Sequence, residues 1–167
     1  MRVVGGKYRS RILKDFSGEK IRPTADKVKE SLFNILGDFI ADARVLDLFS
    51  GTGAIGIECL SRGAKSVIFT DADKDSLKII KDNLSSLGEN QTVIFTDAIS
   101  FLEKTTEKFD FIFIDPPYNS DLGERALKVI ANRKLLTDNG IAVFETEKEN
   151  IKVDFLYLFD QRKYGRV

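Results

Sequence analysis

The stretch that decides the fold is RVLDLFSGTGAIG, residues 44–56. Its first half is a short apolar run typical of a buried strand, and its second half places Gly51, Gly53 and Gly56 in the pattern G-x-G-x-x-G. Between a strand and a helix, this pattern is typical of loops that hold a nucleoside-containing cofactor, because glycines let the backbone approach the ligand closely. The pattern suits NAD as well as S-adenosylmethionine. A glycine turn needed only to pack the helix on the strand is the structural alternative.

Strand-like and helix-like segments alternate along the rest of the chain. We predict strands at 44–49, 66–71, 92–97, 109–115 and 140–146, and helices at 53–62, 74–87, 98–105 and 121–135. The strands are nearly continuous in Val, Ile and Phe, which indicates burial on both faces. This regular alternation predicts one doubly wound α/β domain with a mostly parallel sheet. Ahead of it, Thr24 is expected to cap a further helix that Gly37 would end.

Acidic residues stand at or near the ends of four predicted strands: Asp47, Asp71, Asp97 and Asp115. In doubly wound sheets, ligands bind at the carboxyl ends of the strands. Asp71 lies 20 residues beyond Gly51, a spacing that suits a hydrogen bond to a ribose diol. Asp97, followed by Ala98, is placed to accept a hydrogen bond from an adenine amino group. A single aspartate of this kind is commonly a turn or cap residue, but four on one edge favour a binding site.

The fourth strand runs into Asp115-Pro116-Pro117-Tyr118. This tetrapeptide resembles the catalytic signature of S-adenosylmethionine-dependent methyltransferases that act on exocyclic amino groups of nucleobases. The resemblance implies a flipped base whose amine lies between the Asp115 carboxylate and the Pro116 carbonyl, with Tyr118 stacked on its face. Two acceptors would align the amine and stabilise the positive charge that develops as it attacks the methyl group. The alternative is a strand terminator followed by a surface tyrosine.

Composition narrows the possible classes of function. The 167 residues suffice for one domain with a full hydrophobic core. The chain has no histidine, which excludes Ser-His-Asp and Cys-His catalysis and most zinc chemistry. Its single cysteine, Cys59, excludes an internal disulfide and is expected to be a core residue, and we expect no metal. No apolar run could span a bilayer and no signal peptide is evident, so we expect a cytoplasmic protein.

The net charge is zero, but the charge is unevenly distributed. Residues 1–37 contain nine Lys or Arg against four Asp or Glu, a balance of +5, which leaves −5 for the remainder. The N-terminal arm (residues 1–20) has no acid before Asp15. Clustered Lys and Arg suggest that a polyanion docks locally. A solvated surface strand explains the charge equally well.

Four segments carry a more specific resemblance: VVGGKYRSRIL (3–13), RPTADKVKESLFNIL (22–36), LDLFSGTGAIGIECLSRGA (46–64) and FIDPPY (113–118). With them the chain resembles, over almost its whole length, the RsmD family of bacterial 16S ribosomal RNA methyltransferases, which modify the N2 amine of a guanine. Adenine and cytosine amino-methyltransferases share the DPPY element, whereas the two N-terminal segments point to this family.

The resemblance implies a class I, Rossmann-like methyltransferase fold of the seven-stranded type over residues 21–167, with the N-terminal arm contacting RNA. It implies S-adenosylmethionine as cofactor, S-adenosylhomocysteine as product, and 16S ribosomal RNA in a small-subunit particle as partner of a monomeric enzyme. The implied catalytic residues are Asp115, Pro116, Pro117 and Tyr118. The residues implied to bind the cofactor are Asp47, Phe49, Ser50, Gly51, Thr52, Gly53, Asp71, Ala72, Asp97, Ala98 and Asp115. Those implied to contact RNA are Arg2, Lys7, Arg9, Arg11, Arg22 and Thr24. Thr24 and Asp26 are also candidates for the pocket, with an N-cap and a first-turn acid as the alternative.

Two points remain open. Family members typically continue past a segment like RKYGRV (162–167) with a strand that pairs back into the sheet, so we expect this last strand to be missing or the edge to be built differently. An adenine-N6 methyltransferase shares the chemistry, although no target-recognition domain for DNA is evident. A dinucleotide-dependent oxidoreductase and a non-catalytic RNA-binding or ribosome-assembly module are the alternatives from other classes.

Overall fold

The structure is a computed structural model that describes residues 1–16, 23–148, 151 and 156–162. Its strands are β1 Arg44–Asp47, β2 Ser66–Asp71, β3 Thr92–Phe95, β4 Phe109–Ile114 and β5 Leu136–Phe144. Its helices are α1 Pro23–Leu36, α2 Ala54–Ser61, α3 Lys74–Leu87, α4 Ala98–Lys104 and α5 Leu122–Arg133, with 3-10 turns at Gly6–Tyr8 and Gly37–Ile40. Every strand and helix predicted from the sequence is present.

The five described strands are all parallel and lie in the order β3-β2-β1-β4-β5. The chain builds from β1 towards β3 on one side, and then continues from β4 to β5 on the other. The switch point of the sheet therefore lies between β1 and β4, where ligands bind in doubly wound folds. The predicted doubly wound, parallel α/β fold is confirmed. The described residues hold five strands, so the seven strands expected for the family are not reached within them.

A core on each face of the sheet explains why the strands are almost continuously apolar. Val45 and Phe111 face the layer formed by α1, α2 and α3, whereas their neighbours Leu46 and Ile112 face α4 and α5. Successive side chains of a strand point to opposite faces, so both must be apolar where both faces are covered. Burial of these side chains is the main favourable contribution to folding.

Two helix ends near the N-terminus differ in how well they were predicted. Helix α1 begins at Pro23, and proline suits the first helical position because its missing N–H has no partner there. Thr24 therefore lies inside the first turn, and the predicted N-cap at this residue is wrong; its side chain lies outside the described residues. Gly37, with a φ of 52°, follows the last residue of α1 as predicted.

The last described strand starts earlier than expected. Leu136 pairs with Phe109, and a register shift then brings Ile141 opposite Phe111. The predicted start at Gly140 corresponds to the second part of this ladder. The preceding helix ends at Arg133, two residues before the predicted end, because Lys134 adopts a left-handed conformation with a φ of 53°.

Residues 1–16 of the N-terminal arm are packed on the domain. Val3 and Leu13 are buried in the same core layer as α1, α2 and α3. The backbone N–H groups of Val4 and Gly5 donate to the carboxylate of Glu58, a buried residue of α2, at 2.9 and 2.8 Å. The arm is therefore anchored to α2 by both apolar burial and charge-assisted hydrogen bonds.

Two expectations drawn from composition concern helices. Cys59 is fully buried in α2, as predicted, and burial raises the pKa of its thiol well above the ordinary value. A thiol in this state is a poor nucleophile. Within the ranges that the structure describes, no helix combines the length and apolar character needed to cross a membrane.

Candidate functional site

The glycine loop after β1 leaves open space at the carboxyl edge of the sheet, a term used here for the side where the C-terminal ends of the five described strands lie. Gly51 has a φ of 51°, and a Cβ added there would meet no atom within 4 Å. Gly53 donates its N–H to the Ser50 carbonyl at 2.7 Å, and α2 starts at the next residue. The loop is thus open to solvent at Gly51, beside the first turn of a helix, a position that suits a polar ligand.

A hydrogen bond joins this loop to the end of β2. Oδ2 of Asp71 accepts from the Gly51 N–H at 2.8 Å, and Oδ1 accepts from the Asp73 N–H at 2.8 Å. Ser50 holds the loop from the other side, because its N–H donates to the Thr70 carbonyl at 3.0 Å. The structure therefore brings the predicted residues Gly51 and Asp71 into direct contact at the carboxyl edge.

Asp47 is buried instead of lining an open surface. Its side chain is 1% exposed, and its Oδ2 accepts from the Gly56 N–H in the first turn of α2 at 2.9 Å. Burial, and to a smaller degree the nearby carboxylates of Asp115 and Asp71, raise the pKa of Asp47 to about 7. The contacts of this carboxylate are with the backbone of α2, so it fixes the orientation of the helix behind the loop.

The ends of β2 and β3 meet beside the loop. The Thr96 N–H donates to the Asp71 carbonyl at 3.0 Å. Asp97 then caps α4, with its Oδ1 accepting from the Ser100 N–H at 2.9 Å. Asp97 therefore acts as the N-cap of α4, a role that aspartate commonly plays. Its contact with the adenine of a cofactor stays a prediction. Of the other predicted cofactor residues, Ala72 is exposed, Ala98 is buried, and Phe49 and Thr52 are half-buried.

The tetrapeptide Asp115-Pro116-Pro117-Tyr118 follows β4 directly, on the far side of the switch point from β2. Tyr118 is 76% exposed, so a planar group can stack on its ring. The chain then turns, with Asn119 in the left-handed region at a φ of 60° and the Ser120 hydroxyl donating to the Pro117 carbonyl at 2.7 Å. This turn keeps the tetrapeptide at the surface of the carboxyl edge.

A further carboxylate, Glu145, was missed by the sequence analysis. It follows β5 directly, and its N–H donates to the Ile114 carbonyl at 2.9 Å, which places it beside Asp115. Both carboxylates are exposed to solvent, but the surrounding protein partly desolvates them. This desolvation, followed by the charge of Glu145, raises the pKa of Asp115 to about 7, and desolvation also raises the pKa of Glu145. The sequence signal was available, since Glu145 also stands near the end of a predicted strand. Although the edge is acidic, the described residues include no group of three or more His, Cys, Asp or Glu that could hold a metal ion.

Two of the predicted RNA-contacting residues, Arg2 and Lys7, are engaged in ion pairs. Arg2 lies 3.0 Å from the carboxylate of Asp26, which explains this first-turn acid of α1 by an intramolecular contact. Lys7 lies 2.8 Å from Glu89, and this hydrogen bond is the main cause of its raised pKa. To contact an RNA phosphate, each of these side chains must leave its carboxylate partner or bind the carboxylate and the phosphate together.

Arg9 and Arg11 differ from these paired residues. Both are exposed, and neither forms an ion pair with any residue that the structure describes. They are therefore the two predicted RNA-contacting residues whose charge is open to solvent. Arg22 lies outside the described residues, as does the side chain of Thr24.

Comparison with known proteins gives a family and relatives for this chain. A family model described as "Conserved hypothetical protein 95" matches residues 1–167. A relative from Haemophilus influenzae named "Ribosomal RNA small subunit methyltransferase D" is 38% identical over 154 residues, which are 89% of this chain and 80% of the relative. Its counterpart of the same name from Escherichia coli is 35% identical over 151 residues, which cover 90% of this chain and 76% of the relative.

Solved structures show the same fold. The Escherichia coli protein yhhF superposes with a TM-score of 0.88 at 32% identity, covering 99% of this chain and 92% of that one. A Thermus thermophilus 16S rRNA N2 methyltransferase, RsmC, solved in complex with AdoMet and guanosine, superposes with a TM-score of 0.62 at 25% identity. This second likeness covers 76% of the present chain and 35% of RsmC, so it concerns one part of a longer protein.

Proposed function

Because the chain belongs to the family described as Conserved hypothetical protein 95, the RsmD family, we propose that it is an RNA methyltransferase that transfers a methyl group from S-adenosylmethionine to the N2 amine of a guanine in 16S ribosomal RNA. One observation carries the proposal. The glycine loop with Asp71 and the Asp115 tetrapeptide lie at the same edge of the sheet, on the two sides of the switch point between β1 and β4. A cofactor site and an acceptor site at this edge would face each other.

The cofactor half of the site is the glycine loop and the two acids beyond it. The open space at Gly51 leaves room for a ligand against the backbone, and Asp71 offers carboxylate oxygens to ribose hydroxyls. Asp97 stands one strand further out, where its second oxygen can accept from an adenine amine. S-adenosylmethionine, when bound, supplies a methyl group on a sulfonium. The chain's own residues would orient it.

The acceptor half is the tetrapeptide. A guanine turned out of its RNA would place its N2 amine between the Asp115 carboxylate and the Pro116 carbonyl, and stack on Tyr118. The amine is a weak nucleophile because its lone pair is delocalised into the ring. Two fixed acceptors hold its hydrogens, direct the lone pair towards the methyl group and stabilise the positive charge that develops. Catalysis of this kind requires no covalent enzyme intermediate, which fits a chain without histidine whose only cysteine is buried.

Asp115 must be ionised to accept both the hydrogen bond and the developing charge. Its raised pKa, about 7, means that a substantial fraction is ionised near neutral pH. A carboxylate with this pKa is also a better proton acceptor than an ordinary aspartate. The desolvation that raises the pKa of Asp115 therefore contributes to the function proposed for it.

The RNA is proposed to contact the N-terminal arm, residues 1–20, while residues 21–167 form the catalytic domain. Arg9 and Arg11 support this assignment because their charges are exposed and unpaired among the described residues. Backbone phosphates are the natural partners of such residues. The substrate is proposed to be a small-subunit particle in the cytoplasm, with the enzyme acting as a monomer.

The experiment that tests the proposal measures transfer of labelled methyl from S-adenosylmethionine to small ribosomal subunits that lack the modification. Wild type, Asp115→Ala and a matched control, Asp138→Ala, are compared, and the RNA is digested to nucleosides. Asp138 is an exposed acid near the start of β5, at the opposite edge of the sheet. We expect N2-methylguanosine with wild type and control, and at least a 100-fold lower rate with Asp115→Ala.

The other outcomes separate the alternatives. Label in methyladenosine, or on DNA in a parallel reaction, would keep the chemistry and overturn the substrate. Binding of nicotinamide dinucleotide but not of S-adenosylhomocysteine would indicate an oxidoreductase. Cofactor binding without transfer to either nucleic acid would favour a non-catalytic assembly module.

A further inference from the structure

Asp115 and Glu145 occupy laterally adjacent positions on neighbouring parallel strands. The last register pair of β4 and β5 is Ile114 with Phe144, and the Glu145 N–H donates to the Ile114 carbonyl at 2.9 Å. Adjacent strands lie about 4.8 Å apart, and residues in register point to the same face. The next residue on each strand is a carboxylate, so two carboxylates stand side by side where the proposed acceptor base would lie.

The backbone of Glu145 is held in place by its neighbour. The ring of Phe144 fills the space above Gly123 in the first turn of α5, since a Cβ added to Gly123 would collide with it. Phe144 also packs against the core layer of α4 and α5. The position of Glu145 at the edge of the sheet is therefore fixed by the core and not by the surface loop that follows it.

The carboxylate of Glu145 has no assigned structural role. It accepts no hydrogen bond and forms no ion pair with the residues that the structure describes. Lys148, three residues further on, pairs with Glu124 instead, at 2.7 Å. Solvent reaches this side chain, but the surrounding protein desolvates it enough to raise its pKa, which disfavours an unpaired charge there. A ligand that donates a hydrogen bond at this position would stabilise the ionised carboxylate.

Resting on the proposed function, we propose that Glu145 reads the acceptor base as guanine by accepting its N1–H, while the adjacent Asp115 accepts from its N2 amine. Guanine presents N1–H and the N2 amine side by side, two donors that match two adjacent carboxylates. Adenine presents its amine beside N1, which is an acceptor. If the Glu145 carboxylate faced that nitrogen, neither of the two groups would have a hydrogen-bond donor, and they would repel each other. Glu145 would thus determine specificity for guanine.

The test uses an acceptor that keeps the reacting amine but lacks both N1–H and the O6 carbonyl, and the Glu145 variants isolate the contribution of the N1–H contact. Small subunits are reconstituted with RNA that carries either guanine or 2-aminopurine at the modified position, because 2-aminopurine has a 2-amine but an acceptor at N1. We expect wild type to prefer guanine by about 10- to 100-fold in kcat/KM, the range for loss of one hydrogen bond to a charged group. We expect Glu145→Ala to lose about that factor on guanine and to change less than about threefold on 2-aminopurine.

Glu145→Gln gives a second, independent readout. An amide offers both an acceptor and a donor, so this variant should accept 2-aminopurine better than wild type does and narrow the preference for guanine to about threefold or less. Glu147→Ala is the matched control, since Glu147 is an exposed acid two residues further on. Affinity for S-adenosylhomocysteine and the unfolding temperature of each variant verify that the cofactor site and the fold are intact.

The outcomes separate the two proposals. An equal loss of activity on both acceptors, or no loss on either, would overturn the role of Glu145 and leave the proposed function intact. A wild type that methylates neither acceptor, under conditions where it binds S-adenosylhomocysteine, would overturn the proposed function and this inference with it.

Discussion

The backbone N–H of Gly51 donates to Oδ2 of Asp71 at 2.8 Å, and this bond joins the glycine loop after β1 to the end of β2. A carboxylate proposed to bind the ribose of the cofactor therefore also positions the loop proposed to cradle it. Its other oxygen accepts from the Asp73 N–H. Loss of this side chain would affect both parts of the cofactor site, whereas a change of charge alone would affect one.

This dual role predicts different effects of two substitutions. Asp71→Ala removes the ribose contact and the acceptor for Gly51, so the affinity for S-adenosylhomocysteine should fall by at least about tenfold. Asp71→Asn keeps an acceptor for Gly51 and should lose less. Isothermal titration calorimetry measures both, with Asp75→Ala as control because Asp75 is exposed in the first turn of α3. Equal losses for Asn and Ala would show that the loop contact contributes nothing to affinity.

The same edge of the sheet shows how far the sequence can be interpreted. Gly51, Asp71 and Asp115 were predicted because each follows from a local pattern of a strand and the residues after it. Glu145 was missed, although it also follows a strand, because its significance depends on the pairing of β4 with β5. That pairing joins segments about 30 residues apart, and no local pattern in the sequence encodes it.

The anchoring of the N-terminal arm was also beyond the sequence. Glu58 stands in the apolar run IGIECL of α2, and a buried acid in such a run indicates a polar partner without identifying it. Arg62, one turn further on at the end of α2, donates to it at 2.9 Å, and Lys29 of α1 lies 3.6 Å away. Its other partners are the backbone N–H groups of Val4 and Gly5, more than 50 residues away. Clustered positive charge in the arm was evident from composition, but which charges are paired depends on the fold.

Asp115 should reduce stability at neutral and alkaline pH. Its pKa is about 7 in the folded chain and about 3.9 in an unfolded one. Between these values the folded state binds more protons, so the free energy of unfolding falls as pH rises from 4 to 7. Asp115→Asn removes this loss, and its advantage over wild type should grow across that range to about 1 kcal/mol at pH 8, since solvent screens much of the cost at this exposed side chain.

Urea unfolding at pH 4.5, 6 and 8 measures this difference. Some pH dependence should remain in the variant, because Asp47 and Glu145 also have raised pKa values. The variant should be less active while more stable, since its amide keeps a hydrogen-bond acceptor but lacks the negative charge that would stabilise the developing positive charge. A difference between variant and wild type that does not change with pH would contradict the raised pKa of Asp115.

Alanine should lower the free energy of unfolding more at Gly56 than at Gly51, two glycines of the motif. Gly56 lies against the buried ring of Phe69, and its added Cβ would also come within 3.0 Å of Oδ2 of Asp47. Gly56→Ala should therefore lower the free energy of unfolding by about 2–3 kcal/mol through overpacking. Gly51→Ala meets no atom, and the positive φ alone costs about 1 kcal/mol.

Affinity for the cofactor should show the reverse order. The methyl group of Gly51→Ala would occupy the space proposed for the ligand, so binding of S-adenosylhomocysteine should fall by about tenfold or more. Gly56→Ala, at a temperature where it is folded, should bind within a few fold of wild type. Denaturation and calorimetry on the same preparations test both orders, and a Gly51→Ala variant with unchanged affinity would exclude this loop from the cofactor site.

Arg9 and Arg11 should carry part of the salt dependence of RNA binding. Each phosphate contact releases counterions, so the slope of log K against log salt changes by about 0.7 to 0.9 per contact. Arg9→Gln/Arg11→Gln should therefore weaken binding and flatten the slope by about 1.4 to 1.8. Lys65→Gln/Lys108→Gln is the matched control, since both lysines are exposed and precede β2 and β4 at the opposite edge of the sheet.

The control removes the same net charge, so an equal change of slope in both variants would indicate a general effect of charge. An unchanged slope in the arginine variant would remove the N-terminal arm from the RNA interface. A change of slope seen in the arginine variant alone would assign two phosphate contacts to Arg9 and Arg11, which have no ion-pair partner in the described part of the chain.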